Sequence, residues 1–396
     1  MNFNITPNSS LNNYMIKIGY LVHDNPHDVK SFSGTGFYMF NALSETKNVA
    51  VHLLGEKYLK KQSIISQASK LLRKLFCFSS KLREKVDLIE QYCFLEAIKK
   101  ELKENTFDFI VAPVCSHLIA EIGKLPSIPA ILFVTDATPS FLKDFYQWDI
   151  PDNAFITEQT AIKNATFVIY SSDYMTKLAS TEYGESDQKK FLTIPFGLNM
   201  RTAPKTIPNK NYSDKLNILF VGRDWERKGG EKVLSAFKIL VSWGYDVDLT
   251  IIGANPEQAR NINNIRIIEY VNKSSESDQA MYFEILSKAH FLLLPTKADC
   301  TPMVIAEANA FGVPAITTNV GGIPTLVKEG QNGFLFNIDS TANEYASLIH
   351  KVFSDKKLYF DLSNSSRKEY ENRLNWTIWA ERIIETGMNV GGANKG

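Results

Sequence analysis

The sequence predicts an α/β protein made of two halves, each a parallel sheet with crossover helices. Three observations carry that reading. Short apolar runs at 16–22, 49–54, 109–114, 130–134, 167–170 and 191–195 alternate with helix-like segments, and the pattern recurs at 216–221, 247–252, 265–271, 291–294, 315–317 and 333–336. Between the two series lies 197–213, rich in Asn and Lys and carrying Pro204 and Pro208, which reads as an interdomain linker. The length, 396 residues, suffices for two domains of ordinary size.

Composition narrows the function classes. A formal net charge of +1 offers no argument for a nucleic-acid partner. Cys77, Cys93, Cys115 and Cys300 stand far apart with no Cys-x-x-Cys pair, which argues against a disulfide framework or a zinc site and fits a reducing compartment. Residues 1–13 are polar, so no secretory signal is expected, and no stretch approaches the ~18 apolar residues needed to span a bilayer. The expectation is a cytoplasmic protein, soluble or peripheral on the inner face of the plasma membrane.

The most informative stretch is 299–322. The apolar strand 291–294 runs into a short loop and then a helix expected to open at Thr301-Pro302, with Thr301 as N-cap and Pro302 in the first turn. The backbone N–H groups of Met303 and Val304, at the positive end of the helix dipole, form an anion site. Glu307 follows Met303 by four residues, on the same face and one turn deeper. A carboxylate there repels phosphate and suits hydroxyl groups such as those of a ribose. A helix tip for phosphate beside a carboxylate for sugar makes half of a nucleotide-sugar pocket.

A second element supports the first. The strand 216–221 ends at Gly222 and leads through Arg223-Asp-Trp-Glu-Arg-Lys-Gly-Gly230 into a helix over 231–241. The glycines let the chain turn tightly near a ligand, and Arg223 and Lys228 bracket the turn at the strand's carboxyl end, where open α/β sheets bind ligands. Arg grips phosphate as a bidentate fork and Lys as a point charge.

An acidic residue, seven residues, then Glu, ahead of a Gly-Val-Pro strand, resembles the E-x7-E signature of retaining glycosyltransferases of the GT-B fold, family 4 type. The resemblance covers nearly the whole chain after residue 15, apart from 56–106. It implies two Rossmann-like doubly wound domains facing across a cleft: an acceptor-side domain over 1–200, a nucleotide-sugar-binding domain over 201–370, and a C-terminal helix over 371–396 that returns to the first domain. It implies that Arg223 and Lys228 hold the donor diphosphate, that Glu307 binds the ribose, and that Asp299 stands near the donor sugar. Asp299 departs from the usual Glu, and its carboxylate reaches about 1.5 Å less far.

Three features belong to the acceptor side. After the first strand, His23-Asp-Asn-Pro-His-Asp28 and Ser31-Phe-Ser-Gly-Thr-Gly36 lead into a helix over 37–43. By resemblance the Gly34/Gly36 loop faces the donor phosphate and the acceptor; read alone, it is a tight turn. Asp136, after the strand 130–134, either orients the acceptor hydroxyl or caps the next helix. His117 reads as a structural histidine.

Asp246-Val-Asp248 precedes its strand, at the amino end and away from the ligand crevice, so no catalytic metal is expected. Residues 58–85 carry Lys60, Lys61, Lys70, Arg73, Lys74, Lys81, Arg83 and Lys85 against the single acid Glu84, with apolar residues between them. That describes either a helix lying on an anionic membrane or a core helix with a solvated basic face. In the tail, Trp376 and Trp379 with Ile378 and Ile383 give the last helix an apolar face.

The implied activity is transfer, with retention, of a hexose-type sugar from a nucleotide-sugar donor, UDP-linked, to a saccharide or lipid-linked saccharide acceptor in polysaccharide or glycan synthesis, with no cofactor. The alternatives are a non-catalytic nucleotide-sugar-binding module and a UDP-sugar 2-epimerase on the same fold.

Overall fold

The computed structural model describes residues 14–29, 31–56, 80–184, 188–200, 203–208 and 215–391. It contains two six-stranded sheets, ordered β2-β1-β3-β4-β5-β6 and β12-β11-β10-β7-β8-β9, and every strand pair whose register is described is parallel. The first sheet comprises β1 Ile16–Tyr20, β2 Val49–Leu53, β3 Phe109–Pro113, β4 Ala130–Thr135, β5 Phe167–Tyr170 and β6 Phe191–Thr193. The second comprises β7 Lys215–Val221, β8 Asp246–Ile252, β9 Ile265–Ile268, β10 Phe291–Leu294, β11 Ala315–Thr318 and β12 Gly333–Phe336. The chain divides into two compact units. One is Met1–Thr135 with Pro151–Ile169 and Ala380–Gly396; the other is Asp136–Ile150 with Tyr170–Trp379.

Strand composition follows burial. β3 and β10 are buried at every position and read as unbroken apolar runs, as strands covered on both faces do. In the second sheet Leu216, Ile218, Phe220, Val247, Leu249, Phe291 and Leu293 form the floor, sealed by Phe237 and Leu240 of the helix Gly230–Ser242 and by Tyr345 and Ile349 of the helix Ala342–Ser354. Burying each such side chain contributes roughly 1.5–3 kcal/mol.

Helix ends obey local chemistry. Thr341 and Glu344 form a reciprocal capping box, and the Asp355 carboxylate caps the helix Lys356–Arg373 through the Leu358 N–H. The last helix, Trp376–Gly391, buries Trp379 and Ile383 completely; the Phe196 ring, shortly after β6, lies 5.6 Å from Trp376 at the start of that helix. Further along, Gly387 lies on the Phe109 ring, where a Cβ would come within 2.5 Å.

In the first unit, Ser31–Gly34 is one 3-10 turn and the next helix runs Thr35–Ser44, earlier than the expected start at 37. Gly34 is its N-cap at φ 95, a left-handed conformation that favours glycine, and a Cβ at Gly36 would meet the Ser31 hydroxyl at 2.8 Å. His117 is exposed, with its ring edge-on to His23 at 5.2 Å. Desolvation, followed by the neighbouring His23, lowers the His117 pKa to about 4, while the helix Ser116–Ile122 turns Leu118 and Ile119 inward beside it. The basic stretch at 58–85 lies outside the described residues up to position 79; from Ser80 onward the backbone is helical.

Candidate functional site

In the second sheet, connections from β7 run one way to β8 and β9, while β10, β11 and β12 lie on the other side. The order reverses between β7 and β10, and in open parallel sheets the crevice at such a reversal, outside the strands' carboxyl ends, is where ligands bind. Both informative motifs fall there: Gly222–Gly229 follows β7, and Pro295–Pro302 follows β10.

The two loops are laced together. The Arg227 carbonyl accepts the Lys297 N–H (2.7 Å) and the Thr296 hydroxyl (3.2 Å), and Arg227 Nη1 donates to the Ala298 carbonyl (2.7 Å). Asp224 shapes the first loop: its carboxylate accepts the Arg227 N–H at 3.0 Å and Arg227 Nε at 3.1 Å, and those bonds hold its pKa below the usual carboxylate range. Gly229 has φ 76, and a Cβ on it would stand 2.0 Å from the Pro295 carbonyl oxygen. The strand-side Gly222 leaves room for the Lys228 stem, 2.9 Å from where a Cβ would sit. Glycine here is required by the close approach of two loops.

Lys228 points across the gap to Asp299, and their head groups form an ion pair with side chains only 14% and 8% exposed. Asp299 is in turn held from beneath. Gly322 N–H donates to its carbonyl (3.0 Å), and Cβ atoms at Gly321 and Gly322 would collide with the carbonyls of Asp299 and Cys300, at 2.1 and 1.7 Å. This Gly-Gly seat was not among the expected site residues; its signal was the Val-Gly-Gly that closes the motif. Gly322→Ala is expected to displace the loop and lower stability by about 3 kcal/mol, the cost of overpacking against backbone that cannot yield. Chemical denaturation with an unchanged midpoint would remove the seat from the account.

The helix beyond this loop is Met303–Ala310, with Pro302 rather than Thr301 at the N-cap and no side-chain cap. Thr301 does not cap because its hydroxyl is engaged with Ser171 Oγ. The Ile305 N–H donates to the Pro302 carbonyl at 3.0 Å, leaving the Met303 and Val304 amides as the open donors of the first turn. One turn deeper, Glu307 is 1% exposed and is held by Lys273 Nζ and by the Tyr282 hydroxyl (2.6 Å). Burial and the Glu307 charge push the Tyr282 phenol well above its ordinary range, so it keeps its proton and donates. The meeting of Lys273 and Tyr282 with Glu307 was not expected, because it joins the chain after β9, the helix Glu276–Lys288 and the motif helix.

The remaining expected residues are placed as follows. Arg223 is exposed, its guanidinium 5.8 Å above the Tyr270 ring. Asp136 does not cap the helix Pro139–Tyr146; Thr138 does, accepting the Phe141 N–H at 3.2 Å. The Asp136 carboxylate lies instead near Cys300, and burial pushes it up from 3.8 to about 6. Because the folded chain binds that proton more tightly, Asp136 favours folding most at low pH and loses that contribution as pH rises from 3.8 through 6. Asp136→Asn is expected to flatten this fall in melting temperature between pH 4 and 6.5; parallel slopes for the two proteins would contradict it. Gly34 and Gly36 belong to the other unit.

Asp246 and Asp248 stand at the amino end of β8 and pair with Lys215 at 3.8 and 3.0 Å. A cleft of ≈ 320 Å³ opens at that same end, between Asn217, Asp248, Asn264 and the helix Glu276–Lys288. It faces away from the loops just described.

Residues 205–369, the span that contains both loops and Glu307, match the family model for glycosyl transferases group 1. By that match, the second half of the chain resembles a group 1 glycosyltransferase domain. The spore coat protein SA of Bacillus subtilis (strain 168) is 23% identical over 333 residues, 76% of this chain and 85% of that protein. The capsular polysaccharide biosynthesis glycosyltransferase CapM of Staphylococcus aureus is 29% identical over 180 residues, 44% of this chain and 46% of CapM. Among solved structures, Anabaena Alr3699/HepE in complex with UDP and glucose superposes with a TM-score of 0.58 at 14% identity, covering 94% of this chain and 99% of that one. The two parallel six-stranded sheets are those of the GT-B fold, as the resemblance implied. Among the described residues, no helix is long and apolar enough to cross a membrane.

Proposed function

We propose that this chain is a group 1 glycosyltransferase that moves a hexose-type sugar, with retention, from a UDP-sugar to a saccharide or lipid-linked saccharide acceptor in polysaccharide or glycan synthesis. The observation that carries the reading is the meeting, at one strand-order reversal, of the Lys228–Asp299 pair, the open Met303 and Val304 amides, and buried Glu307. The capsular polysaccharide role of CapM supports the glycan assignment, and the UDP and glucose held by HepE support the donor.

In this mechanism the diphosphate lies against the Met303 and Val304 amides with Lys228 and Arg223 beside it, and Glu307 accepts hydrogen bonds from the ribose hydroxyls. As the bond between the anomeric carbon and the phosphate oxygen breaks, charge grows on the diphosphate, and these fixed donors stabilise it without a metal. The acceptor oxygen bonds the anomeric carbon on the face the phosphate leaves, and its proton passes to the departing phosphate oxygen. Asp136, ionised above about pH 6, orients that acceptor hydroxyl. In this reading the donor is bound by 201–370 and the acceptor by 1–200, bounds that differ from the two compact units, in which Asp136–Ile150 and the chain from Tyr170 group with the donor loops. The basic residues of 58–85 hold the enzyme on an anionic membrane, which co-sedimentation with anionic vesicles at physiological salt tests; failure to bind would end that part.

Thermal melts against UDP, GDP, ADP and TDP, each with its common sugar conjugates, test the reading. A shift confined to uridine nucleotides is expected, with a further shift for one sugar. Binding without turnover in an acceptor screen would identify a nucleotide-sugar-binding module, and no shift with any nucleotide would overturn the reading.

A further inference from the structure

Tyr146 ends the helix Pro139–Tyr146, far in sequence from the loops around Asp299, yet it touches both of them. Its hydroxyl accepts the Cys300 N–H at 3.2 Å, the peptide immediately after Asp299. Its ring lies under the Arg227 guanidinium, 4.9 Å from centroid to carbon, at the peptide immediately before Lys228. The ring is steadied edge-on by Phe141 at 5.7 Å. Burial, followed by the Asp299 carboxylate, pushes the phenol far above its usual range, so the hydroxyl stays neutral beside an ionised pair. One side chain thus braces, one residue away in each direction, the two members of the Lys228–Asp299 pair.

We propose that Tyr146 is a positioning residue for the diphosphate subsite, holding the Arg227–Lys228 and Asp299–Cys300 peptides at one spacing. The inference rests on the donor reading above. Lys228 answers growing charge only if its ammonium stands at a set distance from the diphosphate, and that distance is set by where Asp299 holds it. Removing the phenol oxygen leaves the Cys300 N–H without its acceptor, and the loop moves to find another. Removing the ring as well takes away the support under Arg227, whose guanidinium is attracted to the π-face.

The test compares Tyr146→Phe and Tyr146→Leu with the wild type by calorimetric titration of UDP, GDP, ADP and TDP, each beside its monophosphate. For Tyr146→Phe, affinity for the bound diphosphate is expected to fall about five- to tenfold, while the monophosphate changes less than twofold. Tyr146→Leu falls further in the same direction. A general loss of structure lowers both affinities together, so a Phe variant that weakens mono- and diphosphate alike overturns the proposal. A Phe variant with the wild-type ratio overturns it too. A wild type that binds none of the nucleotides removes the donor reading itself, and this inference with it; binding by the wild type keeps the two failures distinct.

Discussion

Replacing Lys228 with Ala is expected to reduce turnover by two to three orders of magnitude while the donor KM changes little. In the proposed mechanism the ammonium is one of few fixed charges facing the leaving diphosphate, and removing one such preorganised donor costs on the order of 10²–10³ in kcat. An interaction that strengthens only as charge develops shows itself in kcat. The ion pair with Asp299 adds a complication, because Lys228→Ala also strands a carboxylate that is almost wholly buried. A bare Asp299 would repel the diphosphate by itself. The double variant Lys228→Ala/Asp299→Asn separates the two effects. If the missing cation matters, the double variant stays as slow as the single one. Recovery of most of the rate would show that the stranded carboxylate caused the loss, and would remove Lys228 from transition-state stabilisation.

Glu307→Gln is expected to weaken UDP binding about ten- to a hundredfold, the worth of one charge-assisted hydrogen bond. The effect on stability should be smaller. Breaking a fully buried pair costs about 3–5 kcal/mol, but Lys273 is 38% exposed and recovers its hydration, so a loss of about 1 kcal/mol is expected. The role assigned to Glu307 is specific to hydroxyl groups, which supplies the control. A 2′,3′-dideoxy nucleotide should bind the wild type and Glu307→Gln equally. Calorimetry in which the dideoxy nucleotide also loses affinity on substitution would place Glu307 in the scaffold of the site and not on the ribose.

The parts of this protein that were legible in its sequence are those set by local chemistry. Unbroken apolar runs such as Phe291 to Leu294 announce parallel strands covered on both faces, and the spacing from Met303 to Glu307 is a property of any α-helix. Gly222 and Gly229 marked a tight approach before any partner was visible. Where local reasoning went astray or stayed open, two nearby candidates competed for one role. Thr301 is a better N-cap than Pro302 by side-chain chemistry, yet its hydroxyl is taken by Ser171, 130 residues away. Asp136 and Thr138 both suit a helix start, and Thr138 has the reach to the Phe141 amide.

By itself the sequence determined the order of strands and helices, the two loops that carry charge, and the carboxylate one turn inside the motif helix, because each follows from spacing within a dozen residues. Only the tertiary structure decided what those groups face. That Lys228 holds Asp299, that Glu307 is shared by Lys273 and Tyr282, and that Tyr146 braces Arg227 and Cys300 all depend on β7 and β10 lying side by side with their order reversed. Adjacency of that kind arises from burying two distant apolar runs in one sheet, and no local pattern of residues encodes which side chains the burial brings together.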